Sequence, residues 1–457
     1  MAELENLYDA FSRYPYTEVR KHVISFNYLH FLNGKLMGSF KFKDDGYSVR
    51  YYKDGVLYFS SSHRLEDLKN VNEYKVPGWE GGYDDTEPKD GEYEIKEVKP
   101  FDLMSVEEKV SYFKGLYDSI KEIPSVVSIT FSYSESVEEK EIIVNNAKIR
   151  GRVPRLYVGV SLVIKENNRT ATAFYEQGGS GGLELLDKMN LEEFINEKAR
   201  AVTEVLRKGK SFGERVTDVV LSNMLSGIMA HESVGHPFEA DRVLGREFAQ
   251  AGFSYLNSFK GKIGSDVVTV IDDPTILGSG GFYKIDDEGI EARPKYLIKD
   301  GNVNELLHDR FSSVKFNTKS NGSARSAGFD REPLIRMSNT FFKPGNMSFD
   351  ELIEDVKEGV YIKSYMEWNI DDMRLGQRYV GLEAYEIKNG EIGEPVLFPV
   401  LQGKTYELLR SIDAVDNTLV FYPGTCGKGD PDQGVPVWLG GPNMRLRNVR
   451  IKVMVNE

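Results

Sequence analysis

Residues 23–32, VISFNYLHFL, run into Asn33-Gly34 and then into residues 35–42, KLMGSFKF. This stretch decides the architecture of the front of the chain. Asn-Gly suits the two left-handed positions of a tight hairpin turn, and the flanking runs carry the aromatic and β-branched residues that strands favour. The pattern repeats at once, with YSVRYY (47–52) and VLYFSS (56–61) on either side of Asp54-Gly55. Residues 23–60 therefore read as a β-meander. Residues 73–100 lose all periodicity and hold Pro77, Gly78, Gly81, Gly82, Pro88 and Gly91, so they read as an exposed acidic loop.

Working outward, Ser105–Lys121 reads as a helix. Val110, Phe113, Leu116, Tyr117 and Ile120 make an apolar stripe, and Ser105 with Glu108 has the spacing of a capping box. Strands are expected at Val126–Tyr133, Glu141–Val144 and Arg155–Ile164. The cluster Gly178-Gly179-Ser180-Gly181-Gly182 lacks the Lys-Ser/Thr ending of a nucleotide loop and reads as a mobile turn. A second helix, Leu191–Leu206, is broken by Arg207-Lys208-Gly209-Lys210, which marks an expected domain boundary: residues 1–208 an N-terminal α/β domain, residues 209–457 a β-rich domain. The fold class is α+β. Turns at Asp300-Gly301 and Asn389-Gly390, strands at Val396–Val400, Thr418–Tyr422 and Val449–Val455, and a helix at Ser348–Lys357 are expected in the second part.

At 457 residues the chain can build more than one core, and 40% hydrophobic with 28% charged residues is the composition of a folded globular protein. Lys plus Arg (58) against Asp plus Glu (71) gives a net charge of −13, which argues against nucleic acid or an anionic membrane as the main partner. No basic flank precedes an apolar core at the N-terminus, and no apolar run approaches bilayer length, so a cytoplasmic location is expected. The single cysteine, Cys426, precludes an intrachain disulfide.

Chemistry concentrates in His231-Glu232-Ser233-Val234-Gly235-His236, which holds two of the six histidines. Imidazoles bind zinc at neutral pH, and an adjacent carboxylate can take a proton from water. Ser222–Gly235 reads as a helix, but histidines five apart on an ideal helix diverge by about 140° and cannot share one ion. Gly235 and Pro237 can break the last turn, and a one-residue π-bulge would also realign the rings. The spacing thus predicts a distorted helix end. A third ligand is needed, and Glu239, Asp241, His308 and Cys426 all qualify by chemistry. Cys426 lies in Gly424-Thr425-Cys426-Gly427-Lys428-Gly429, where Lys428 would favour the thiolate. Residue chemistry alone leaves this choice open.

The residues resemble a known family. His231-Glu232-x-x-x-His236 with Glu239 and Asp241 is similar to the HExxxH segment of the TldD branch of the TldD/PmbA family, the modulator-of-gyrase-type metallopeptidases. The likeness continues through Ile285-Asp286-Asp287-Glu288-Gly289, Arg336-Met337-Ser338-Asn339-Thr340, Cys426-Gly427-Lys428-Gly429, Gln433-Gly434-Val435-Pro436-Val437 and Gly440-Gly441-Pro442. The resemblance implies one zinc ion held by His231, His236 and Cys426, with Glu232 acting in catalysis. It also implies an α/β region before a β-rich region, and a dimer with itself or with a motif-lacking family subunit. The expected function is a zinc-dependent peptidase acting on short or unfolded peptides, which could pair with exposed strand edges. Competing readings are a non-catalytic peptide-binding subunit and a metal-dependent amidase or esterase. Arg325 and Arg336 read either as substrate anchors or as structural ion-pair partners. Asp286-Asp287-Glu288 reads as a turn or outer-shell group rather than a second cation site.

Overall fold

The computed structural model describes residues 1–70, 75–246, 253–257 and 261–454. Both hairpins of the meander form. Strands β1 (Tyr16–Leu32) and β2 (Lys35–Lys53) pair antiparallel from Tyr16↔Tyr52 to Leu32↔Lys35, and β3 (Val56–Ser62) follows. Asn33 and Gly34 have φ of 48° and 72°, Asp54 and Gly55 of 51° and 82°, the left-handed pairs that close two-residue hairpins.

Residues 73–100 are not simply a loop. Within them lie β4 (Lys75–Glu80), beside β3, and β5 (Gly91–Glu94), parallel to the strand Ala147–Glu166; residues 73 and 74 fall outside the described residues. Asp84 is buried, accepting from Thr86 (2.8 Å), Lys319 (2.7 Å) and the Ser320 amide (2.8 Å). Short strands secured by a buried polar anchor leave no hydrophobic period to read.

Strand β6 (Val126–Val144) unites two stretches that the apolar pattern separates. Its polar middle stays in the sheet because Glu138 meets Arg155 (2.8 Å) and His22 (3.1 Å), and Lys140 meets Asp287 (3.0 Å). It pairs with β1 on one side and β7 (Ala147–Glu166) on the other, and β8 (Arg169–Ser180) pairs with β7. The eight-stranded order is β4-β3-β2-β1-β6-β7-β5, with β8 also on β7.

After α1 (Ala2–Phe11), helix α2 (Val106–Ile120) starts at the predicted Ser105–Glu108 capping box. Beyond α3 (Glu184–Met189), α4 (Leu191–Lys208) buries Leu191, Ile195, Ala199, Val202 and Leu206 in one core with Phe113, Leu116 and Ile120 of α2.

The glycine cluster is a tight seam rather than a mobile turn. Trp438 Nε1 donates to the Gly178 carbonyl (3.1 Å) and the Ser180 amide donates to Gly278 (2.9 Å). A Cβ on Gly178 would stand 2.3 Å from the Leu156 carbonyl oxygen, so this close approach needs glycine.

The second half holds a nine-stranded sheet and a six-stranded sheet. In the first, β9 (Arg215–Leu221) runs parallel to Glu358–Ile362 and antiparallel to Met444–Val453. The second ends in Asn339–Phe342, Val435–Gly441 and Val420–Cys426. The turns at Asp300-Gly301 and Asn389-Gly390 form. Phe398, at φ 45°, moves the expected Val396–Val400 strand to Pro399–Lys404. The strand expected at Thr418–Tyr422 is Val420–Cys426, and that expected at Val449–Val455 is Met444–Val453, Val455 lying outside the described residues. The helix after Ser348 shortens to Phe349–Ile353 before the chain enters Glu358–Ile362. The mixed architecture is α+β, as expected. Among the described residues no helix is long and apolar enough to cross a membrane.

Candidate metal centre and its cleft

Strand β9 delivers the chain into α5 (Asn223–Met229), whose Leu225, Ile228 and Met229 are buried against the strands beneath. The helix then widens: Ala230–Gly235 is a π turn, followed by a 3₁₀ turn at His236–Phe238. The His236 amide donates to the His231 carbonyl, an i→i+5 bond that stacks the second histidine over the first. Their ring centroids lie 5.0 Å apart at 85°. The spacing of five, irreconcilable with a regular α-helix, is the natural repeat of this turn.

The environment holds the distortion in place. Tyr255 donates its hydroxyl to the Ser233 carbonyl (2.8 Å), and Gln377 donates to the Ser233 hydroxyl. Gly235 packs so closely that a Cβ would overlap the Met337 sulfur at 1.8 Å. Pro237 has no amide to satisfy in the following turn.

Cys426 ends the strand Val420–Cys426, opposite Val435. Arg336 fixes this end by donating to the carbonyls of Gln433 (2.6 Å) and Cys426. The thiol is buried, 3.5 Å from His236 Nε2. Ligand atoms of His231, His236 and Cys426 all lie within 4.8 Å of one another.

Burial pushes the Cys426 thiol up, but His236, Arg336 and His231 outweigh it and hold it well below its ordinary value. Lys428, expected to favour the thiolate, is instead engaged with Asp241 (2.7 Å), Glu239 (3.2 Å) and the Ile335 carbonyl (2.8 Å).

The other candidate ligands stand outside this group. Glu239 Oε2 is 3.2 Å from His236 Nδ1, which directs Nε2 toward the sulfur. Asp241 is taken by Lys428, and His308 by Ser312 (3.0 Å). Glu232 is buried and ion-paired with Arg374, a residue 142 positions on that no sequence motif marks. Arg374 adopts φ 62°, and its reach to Glu232 becomes visible only in the fold.

Arg325 and Arg336 are both committed to main-chain carbonyls, Arg325 to Met337 (2.6 Å) and Pro436 (2.8 Å). They are structural clamps. Asp286-Asp287-Glu288 is a buried turn: Asp286 accepts the amides of Glu288, Ile290 and Ala324, Asp287 binds Lys140 and Ser326, and Glu288 binds Arg50 (2.7 Å).

His231 and Glu232 open onto a cleft of about 440 Å³ walled by Phe174, Tyr365, Trp368 and Tyr422. Glu176 of β8 also lines it, and burial alone pushes that carboxyl up to about 7.

The donor set fits zinc. Tetrahedral Zn–S and Zn–N bonds of ordinary length put sulfur and nitrogen about 3.6 Å apart, close to the 3.5 Å found between Cys426 Sγ and His236 Nε2. His231 Nδ1 is buried with no hydrogen-bond partner among the described residues.

Residues 214–453 match the PmbA/TldA metallopeptidase C-terminal domain, and residues 99–219 match the central domain of the same family. A metalloprotease of Methanocaldococcus jannaschii is 31% identical over 460 residues, covering 97% of this chain and 99% of that protein. One from Methanothermobacter thermautotrophicus is 35% identical over 332 residues, 72% of this chain and 70% of its own. The structure of TldE from Thermococcus kodakarensis superposes with a TM-score of 0.73 at 15% identity, covering 98% of this chain and all (100%) of that one, a likeness of fold. The chain belongs to the PmbA/TldA metallopeptidase family.

Proposed function

We propose that this chain is a zinc-dependent peptidase of short or unfolded peptides, with His231, His236 and Cys426 as the ligands. The observation that carries the reading is the convergence of these three donors, from a π turn and a strand end, beside Glu232 in the wall of one cleft. Bound there, zinc would supply Lewis-acid polarisation of the scissile carbonyl and would acidify water.

The protein's own groups do the rest. Glu232 takes the proton released as water adds to the carbonyl and passes it to the leaving amine. Arg374 holds Glu232 Oε2, which leaves Oε1 to carry that proton. Glu239 fixes the His236 tautomer through Nδ1.

Three sheet edges border the cleft: β8, Tyr365–Ile370 and Val420–Cys426. An extended peptide laid along one of them would be held through its backbone without sequence specificity. Proline substitutions along a good substrate should then weaken its binding; indifference to proline would sink this mode of docking.

The deciding experiment is mass-spectrometric detection of cleavage in an unfolded-peptide mixture by the zinc-loaded chain and by Glu232→Gln. Cleavage by the native chain alone, with metal retained in both, is expected. Equal cleavage by both overturns the role of Glu232. A native chain that binds peptides and zinc without cutting would instead be a binding subunit, in a homodimer or beside a motif-lacking partner.

A further inference from the structure

A second cavity, of about 300 Å³, lies behind the cleft and shares Glu176, Gly424 and Thr425 with it. Charged groups line this cavity, and its cations are already committed. Lys140 pairs with Asp287 and Glu138, Arg155 with Glu138, and Arg325 with two main-chain carbonyls. Glu176 is the contrast. Among the described residues no hydrogen bond or ion pair reaches its carboxylate, although it stands at the junction of both cavities. The Tyr157 hydroxyl, on the same cavity wall, is buried without a partner among the described residues.

Glu176 is half-buried; a carboxylate drawn even partly out of water without a partner is costly, and the protein offsets that cost elsewhere by pairing. Here burial is the whole cause of the raised proton affinity, with no neighbouring charge contributing. The cleft beside it is aromatic, with Phe174, Tyr365, Trp368 and Tyr422, and aromatic faces attract cations. An unpaired acid next to aromatic walls, in the cleft that holds His231 and Glu232, is a receptor for positive charge.

Building on the peptidase reading, we infer that Glu176 is a specificity-determining residue that receives a cationic group of the substrate, either a Lys or Arg side chain or a free N-terminal amine. It touches substrate and takes no part in proton transfer.

The test separates binding from cleavage. Labelled short peptides are titrated by fluorescence anisotropy into zinc-loaded Glu232→Gln and into the double variant Glu232→Gln/Glu176→Gln. One peptide has an acetylated end and a lysine, a second a free amine with norleucine in place of the lysine, and a third is acetylated and neutral. The expected result is that one cationic peptide binds about tenfold tighter than the neutral one, the range of one charge-assisted hydrogen bond, and loses that advantage in the double variant. Which peptide gains identifies the source of the charge. Glu176→Lys on the same background should turn the preference toward an acidic peptide. Equal binding of all three peptides, or an advantage that survives Glu176→Gln, overturns the assignment. Charge-selective binding without any cleavage by the native chain would sink the peptidase reading and leave Glu176 standing. Cleavage without charge selectivity would do the reverse.

Discussion

His231–His236 and Asp286–Glu288 both gather buried ionisable side chains, and the fold treats them in opposite ways. In the acidic turn each carboxylate is consumed. Asp286 takes three amides, Asp287 a lysine and a serine, and Glu288 an arginine from β2 and the Arg310 amide (2.7 Å). At the π turn the donors converge on one another: the ligand atoms of two imidazoles and a thiol lie within 4.8 Å of one another, and His231 Nδ1 has no hydrogen-bond partner among the described residues. Asp287 and Glu288 tie the eight-stranded sheet to the second half of the chain through Lys140 and Arg50. Donors left over at the wall of a cleft are what a metal site needs. Clustering in sequence does not separate these cases; satisfaction of the polar atoms does.

The largest break in this comparison is Cys426→Ser. On the proposed reading it removes the softest of three ligands, and zinc content measured by elemental analysis should fall well below one per chain. Peptide cleavage should drop by about a thousandfold, the scale on which loss of an essential catalytic group is felt. Full metal content in the variant would show that Cys426 is only a small buried side chain.

Next in size is the other stretch. Lys140→Met leaves Asp287 in a buried site with Arg20 at 3.6 Å as its remaining ion-pair partner among the described residues. Breaking a buried pair from one side costs about 3 to 5 kcal/mol, to be read from chemical denaturation with the metal site intact. The same pair predicts acid sensitivity. Burial pushes Asp287 up, but Lys140, Arg20 and Ser326 outweigh it and hold it at about 2, below its ordinary 3.8. A depressed carboxyl stabilises the fold above its ordinary value, and that stability is lost as pH falls from 3.8 toward 2. About 2 kcal/mol should disappear over that window, and Asp287→Asn should flatten this part of the stability curve.

Much of this was legible in the sequence because it depends on neighbours in the chain. Asn33-Gly34 and Asp54-Gly55 set their own turns, Ser105 and Glu108 their own cap, and the five-residue histidine spacing announced a broken helix end. What escaped depends on partners far away. The polar middle of β6 stays in the sheet because of Asp287, more than a hundred positions distant. Gly178 is pinned by Trp438, and Glu232 is met by Arg374. Residue chemistry does not separate Glu239, Asp241, His308 and Cys426 as the third member of the donor group; the strand Val420–Cys426 does, by setting the sulfur beside His236.

Glu239 belongs to both sides of the comparison and gives its smallest and sharpest test. One oxygen is consumed, meeting His236 Nδ1 at 3.2 Å, Lys428 at 3.2 Å and Arg242 at 3.8 Å; the other is buried and has no hydrogen-bond partner among the described residues. Burial pushes its proton affinity up, and Lys428, His236 and Arg242 outweigh burial and hold it far below the ordinary carboxylate range. Glu239→Gln keeps the shape and removes the charge. If Glu239 orients a zinc ligand, the variant should bind zinc about 10- to 100-fold more weakly, as other losses of a ligand's hydrogen-bond partner do, and competition with a chelator would read this directly. If Glu239 only neutralises Lys428 and Arg242, zinc affinity should hold while the denaturation midpoint falls. The two outcomes divide one side chain between the chemistry of the cleft and the packing that supports it.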